Sequence, residues 1–228
     1  MKTNRFIGFE KIGTLLLVTL IALIIAGCFS RSKPAYMIDQ YTLEYAPPVV
    51  AGLDVLPESV RVERFSVNQS FNSQAMVYKP SPLRLAAYNY SRWRINPGDM
   101  VTDYLLRDLR NAHIFRAVFS YRDTESSRFV IEGGVVEFLE AVDAKDTKTI
   151  LSLNISLLDT YGKEITEKIL FQKQYRIQEP IREHTPEEFA RGMSISMAHF
   201  SEQMVKDIHE AITARNQSSP AGPKPGSR

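Results

Sequence analysis

The sequence predicts an α+β domain, an antiparallel-rich β-sheet with two main helices packed on one face. Three observations carry this expectation. Segments that alternate apolar and polar residues are joined by short turns containing Pro, Gly or Asp. Two other segments repeat their apolar residues every three or four positions, and each opens on a capping sequence. The order along the chain is strands, helix, hairpins, helix, which separates the helices from the sheet rather than alternating with it.

The first strands are expected at residues 41–43 and 60–67. Residues 76–79 and 83–93 form the next two, with Pro80-Ser81-Pro82 as a turn between them, because proline cannot donate to a ladder. Asn96-Pro97-Gly98-Asp99 then starts a helix, with Asn as N-cap, Pro in the first helical position and a carboxylate in the first turn. Its buried side should hold Val101, Tyr104, Leu105 and Leu109. Strands at 128–141, 150–159 and 165–177 follow, separated by polar turns at 143–148 and 159–162. The middle strand is the clearest, since Leu151, Leu153, Ile155 and Leu157 alternate with Ser152, Asn154 and Ser156. Gly133-Gly134, followed by Val135-Val136, suggests a bulge rather than a phosphate-binding loop. Thr185-Pro186-Glu187-Glu188 reads as a capping box. The helix it opens carries one apolar stripe of Phe189, Met193, Met197, Phe200, Met204, Ile208 and Ile212, which should cover the sheet.

Ahead of this domain lies a secretion signal. Lys2, Arg5 and Lys11 precede an apolar stretch from Leu15 to Ile25, and Ile25-Ala26-Gly27-Cys28 forms a lipobox. Ala26 and Gly27 are small enough for a signal peptidase cleft, and Cys28 supplies the thiol for a diacylglyceryl group. The uninterrupted apolar run is shorter than the ~20 residues of a membrane-spanning helix. Cys28 is also the one cysteine of the chain. The expected division is therefore a signal peptide at 1–27, a lipidated tether at 28–40, the domain at 41–215, and a disordered tail at 216–228 rich in Ser, Pro and Gly. One acyl chain binds reversibly, at about 0.8 kcal/mol per buried methylene, so several chains on Cys28 would make a lasting anchor. Phe29 follows the cysteine where aspartate is the usual signal for inner-membrane retention. The outer membrane, on its periplasmic face, is thus the expected site, and the inner membrane the alternative.

Charge and composition exclude some classes of function. Without the three basic groups and one acidic group of residues 1–27, 25 basic and 25 acidic residues remain, so the mature part has no excess charge to attract nucleic acid. A single cysteine leaves no intramolecular disulfide. Catalytic and metal sites are not expected. His113 and His184 flank helices, and His199 and His209 stand ten positions apart, which does not bring two imidazoles together. No cofactor is expected beyond the covalent diacylglyceryl and N-acyl lipid on Cys28. The segment Tyr88-Asn89-Tyr90-Ser91-Arg92-Trp93 has two readings. Strand alternation places Tyr88, Tyr90 and Arg92 on one face, with Arg84 and Ala86 before them. They serve either cross-strand packing or, together with Trp93, a partner surface, since these residue types dominate binding hot spots.

Tyr41-Thr42-Leu43 with Pro47-Pro48, Met76-Val77-Tyr78-Lys79, the Tyr88 to Trp93 segment, Pro97, and Leu105 and Leu109 together resemble the ABC-type transport auxiliary lipoproteins. The likeness extends over most of the mature chain. Its most specific part is Tyr90-Ser91-Arg92-Trp93 with Pro97, and Arg94 departs from the family's usual small residue. The resemblance implies a non-catalytic lipoprotein that works with an ABC permease, an ATPase and an MCE-domain protein. Such systems move lipids or other hydrophobic molecules across the envelope, and the lipoprotein holds the outer-membrane end or passes cargo on. A second reading is an outer-membrane lipoprotein that activates a cell-wall synthase, but the dozen-residue tether is short for reaching the inner membrane. An envelope enzyme with a hidden site is the third.

Overall fold

The computed structural model describes residues 36–143 and 146–218. The expected signal peptide, Cys28 and most of the expected tether lie outside the described residues, as do two positions of the 143–148 turn and the last ten of the chain. The strands are β1 (Asp39–Tyr41), β2 (Leu56–Val62), β3 (Ser66–Val67), β4 (Ala75–Ser81), β5 (Arg84–Trp93), β6 (Phe115–Ser120), β7 (Phe129–Ala141), β8 (Lys148–Asp159) and β9 (Ile169–Pro180). The helices are α1 (Pro97–Ala112), the single turn α2 (Ile165–Lys168) and α3 (Pro186–Ser218).

Strand β7 organises the sheet. One edge pairs antiparallel with β8 over its full length, and β8 pairs antiparallel with β9. The other edge receives three short strands in turn, all parallel to it: β2 at Phe129–Ile131, β3 at Gly134–Val135 and β4 at Glu140–Ala141. β2 also pairs parallel with β6, β4 pairs antiparallel with β5, and β1 lies parallel on β5. The fold is α+β, but the sheet is mixed rather than antiparallel-rich. Alternation reports that one face of a strand is buried. It says nothing about the direction of the neighbouring strand, so the parallel pairings are invisible to it.

Local details depart from expectation for identifiable reasons. Pro80 sits inside β4, at a register irregularity between Tyr78 and Ser81 where the ladder does without its N–H; the turn is only Pro82-Leu83. The stretch from Ile165 begins as the helical turn α2, in which Glu164 and Glu167 form a capping box, before extending as β9. β6 was hidden by its short apolar pattern. The bulge expected at Gly133-Gly134 occurs just beyond, between Val135 and Glu137. At Gly133 a Cβ would lie 2.6 Å from the Phe65 ring, and at Gly134 2.7 Å from Ser66 Oγ. The two glycines therefore let the 65–66 segment cross close over β7.

Both long helices follow their caps. Asn96 accepts a hydrogen bond from Gly98 N–H, and His113 ends α1 in the left-handed conformation. Met100, Val101, Leu105 and Leu109 are fully buried, while Tyr104 stays half-buried and stacks on Tyr45. At the start of α3, Glu188 N–H donates to Thr185 Oγ1, but the Glu188 carboxylate accepts from Arg182 N–H instead of closing the box. All seven residues of the expected stripe are completely buried. Each large apolar side chain contributes roughly 1.5–3 kcal/mol on burial, so this face alone fixes the helix to the sheet. Gly192, with Ser194 and Ser196 nearby, lets the backbone approach β8, where Ser196 Oγ lies 3.1 Å from Thr149 Oγ1.

The far end of α3 is clamped by charge. Asp159 at the end of β8 is fully buried and accepts from Arg128, just ahead of β7, and Arg215 of α3, each at 2.9 Å. Asn216 donates to Glu58 and accepts from Arg128. Helix α3 therefore runs to Ser218, through the first three positions of the expected tail, because Asn216 has partners on β2 and at the entry to β7.

Candidate functional site

The segment 88–93 lies at the β1–β5–β4 side of the sheet, and a backbone irregularity decides what it presents. Ala75 pairs with Arg92 and Val77 with Ala87, so two steps along β4 correspond to five along β5. The surplus residues of β5 bulge outward, which inverts the alternation halfway along the segment. Tyr88 and Trp93, of opposite parity, consequently both turn inward.

Trp93 is 1% exposed, in edge-on contact with Phe138 of β7 and Phe189 of α3. It is a core residue, and its place in the expected partner surface is corrected. Tyr88 is half-buried and donates to Glu140 at 2.7 Å. Tyr90 is 50% exposed, and Arg92 is exposed. The bulge leaves an open pocket of about 420 Å³ against β4, lined by Gln74, Ala75, Ala87, Tyr88, Asn89 and Arg92. Of the four residues singled out in the sequence, then, Tyr90 and Arg92 form the accessible surface, Tyr88 forms its wall and Trp93 anchors it from below.

Behind Tyr88 stands a cluster that sequence reading did not find. The Glu140 side chain, completely buried, has Oε2 bonded to Tyr88 and Oε1 2.8 Å from His184 Nδ1. His184 Nδ1 is also 2.7 Å from Tyr88 Oη, and its ring packs edge-on against Tyr78. Burial, followed by the bond to Glu140 and its charge, pushes the Tyr88 hydroxyl well above its ordinary pKa. Tyr88 is thus a fixed donor, and both carboxylate oxygens of Glu140 are engaged. The cluster holds β5, β7 and the entry to α3 in register. The signal for it was present only as a polar Glu140 closing an apolar strand and a lone His184 before a helix, residues 44 positions apart.

A second clasp joins β1 to α3. Tyr41 donates to Glu187 Oε1 at 2.6 Å, and burial together with that carboxylate pushes the Tyr41 hydroxyl up to about 12. The neighbouring loop is fixed to α1 by Tyr45, which donates to the buried Asp108 at 2.6 Å beneath the Arg107 guanidinium. Of the other histidines, His199 pairs with Glu179 at 2.8 Å and His209 lies 2.9 Å from the Asp54 carbonyl oxygen. No group of three or more His, Cys, Asp or Glu side chains suited to a metal occurs among the described residues.

Fold and surface together define an α+β domain whose accessible feature is a bulged, aromatic and cationic sheet margin braced from behind. The family model for the ABC-type transport auxiliary lipoprotein component matches residues 41–205, and the chain belongs to this family. Protein XCC0632 from Xanthomonas campestris is similar in structure, with a TM-score of 0.69 and 15% identity over 80% of this chain and 99% of that one. The hypothetical protein CT253 from Chlamydia trachomatis is similar with a TM-score of 0.53 and 7% identity, over 70% and 99% of the respective chains. At such identities the likeness speaks for the fold alone. No curated protein matches the sequence. Membership makes this chain an auxiliary component of ABC-type transport and a lipoprotein of the cell envelope. None of the described helices is long and apolar enough to cross a membrane.

Proposed function

We propose that the mature protein begins at Cys28, carries diacylglyceryl and N-acyl lipid there, and serves as a non-catalytic component of an ABC/MCE-type system that moves lipids or other hydrophobic molecules across the envelope. The match of residues 41–205 to the auxiliary lipoprotein family is the observation that carries this reading. The lipobox Ile25-Ala26-Gly27-Cys28 supports the anchor, and Phe29 supports the outer membrane. The domain is docked against an MCE-domain protein, itself joined to the permease and ATPase, through Tyr90 and Arg92 over the Tyr88 wall. The energy for transport comes from the ATPase. Exposed Tyr and Arg on a rigid support suit such a contact, because little side-chain freedom is lost when the supporting residues are already fixed.

The test is complementation of a strain lacking this protein. The wild type should restore the distribution of hydrophobic cargo between the two membranes. Cys28→Ala and the pair Tyr90→Ala with Arg92→Glu should each fail, although both proteins accumulate and fold. Full complementation by Cys28→Ala would sink the anchored reading.

A further inference from the structure

The β4–β5 hairpin carries features that the docking surface does not use. Its tip is the two-residue turn Pro82-Leu83, where Leu83 is fully exposed (101%), and Leu85 two residues on is 47% exposed. The segment is also cationic within an otherwise neutral mature chain. Between Glu63 and Asp99 there is no acidic residue, while Lys79, Arg84, Arg92 and Arg94 lie there. Lys79 and Arg84, which flank the tip, form no ion pair among the described residues. An apolar point between basic residues suits the boundary between anionic headgroups and acyl chains.

Topology says from which side the chain enters the domain. β1 runs parallel to β5, with Asp39 opposite Ser91 and Tyr41 opposite Trp93. The chain therefore enters β1 from the tip side of the hairpin. From Ser91 to the tip is eight residues, at most about 26 Å of strand because the bulge shortens it. The eleven residues from Cys28 to Ile38 can span at most about 36–40 Å when extended. The lipidated end thus has the length to reach the level of the tip, and it starts in that direction. We infer that the Pro82–Leu85 tip inserts into the same membrane leaflet that holds the Cys28 lipid, as a second contact that fixes the orientation of the domain. This inference rests on the proposed acylation of Cys28. Seated so, the domain holds Tyr90 and Arg92 above the headgroups, turned toward a periplasmic partner.

The full-length protein, produced in cells so that the leader is processed, is reconstituted in phosphatidylethanolamine vesicles with a minority of phosphatidylglycerol. An acylated Cys28 has no free thiol, so Leu83→Cys and Tyr161→Cys each accept one nitroxide label. Position 161 is 76% exposed and lies at the opposite end of β7, making it the aqueous reference. Collisions with dissolved oxygen and with a water-soluble nickel chelate are measured, and the mass of the N-terminal peptide is read from the same sample. Tip insertion predicts that the label at 83 meets oxygen more and the chelate several-fold less than the label at 161. An acylated Cys28 with equal chelate access at both positions overturns the tip contact and leaves the anchor standing. An unacylated Cys28 overturns the anchor, and the tip inference falls with it.

Discussion

Replacing Asp159 with Asn tests the clamp that closes α3 over the sheet. Asp159 is fully buried, and its two arginine partners, Arg128 and Arg215, are each about three-quarters buried, at 23% and 25% exposure. Burial alone would raise its pKa. Hydrogen bonds from Arg128, Arg215 and the Tyr161 N–H outweigh burial and bring it to about 2, from an ordinary 3.8. Because the folded value is depressed, the carboxylate stabilises the fold at pH above about 4, and that stabilisation is lost as the pH falls from about 4 to about 2. A shift of this size corresponds to at most about 2.5 kcal/mol, and screening at the partly exposed guanidinium groups reduces it to roughly 1–2 kcal/mol. Removing the charge outright costs more, because two cations then face each other without their shared partner. The penalty for breaking such a buried pair is about 3–5 kcal/mol. For a domain of this size that lowers Tm by roughly 6–20 °C. Thermal unfolding of wild type and Asp159→Asn at neutral pH, repeated between pH 5 and pH 2, is the assay. The wild type should lose stability on acidification and the variant should lose less over the same range, so their curves converge. Parallel acid curves, or a change in Tm below about 2 °C, would refute the reasoning.

Other substitutions separate the roles of neighbouring residues. Trp93→Ala should cost about 3–5 kcal/mol and lower cellular abundance, as a core truncation does; a near-native Tm would mean that Trp93 is not packed between Phe138 and Phe189. Tyr90→Ala with Arg92→Glu should leave Tm within a degree or two, since neither side chain is in the core, while partner capture falls; unchanged capture counts against the docking surface. Gly133→Ala should be destabilised by about 1–3 kcal/mol by overpacking against the Phe65 ring, and a companion Phe65→Leu change should recover part of that loss. Tyr88→Phe should leave Glu140 short of a donor and reduce stability by about 1–3 kcal/mol, read from urea midpoints with an unchanged m-value.

Elements with a strong local signature were legible in the sequence. The caps at Asn96 and Thr185 and the seven-residue stripe of α3 predicted both long helices, because capping and periodicity are properties of a few consecutive turns. The alternation of Leu151 to Leu157 likewise placed β8. Parallel partners of β7 were not legible, since pairing direction depends on where distant connections return the chain. The docking segment failed in part for a related reason. The β5 bulge shows only against β4, and without it strand parity puts Tyr88 with Arg92 and leaves Trp93 free to face outward. The Glu140–His184–Tyr88 clasp joins residues 52 and 44 positions apart, a distance at which polar residues carry no local pattern. Asn216 looked like the start of a polar tail until its partners Glu58 and Arg128 were in view.

Affinity capture of the full-length protein from gently solubilised envelopes, with mass spectrometry of the bound proteins and of the N-terminal peptide, tests the central claim most directly. The account predicts an acylated Cys28 at the mature N-terminus and an MCE-domain protein recovered with its permease and ATPase. Recovery of a cell-wall synthase in their place, or of an unmodified Cys28, would contradict it.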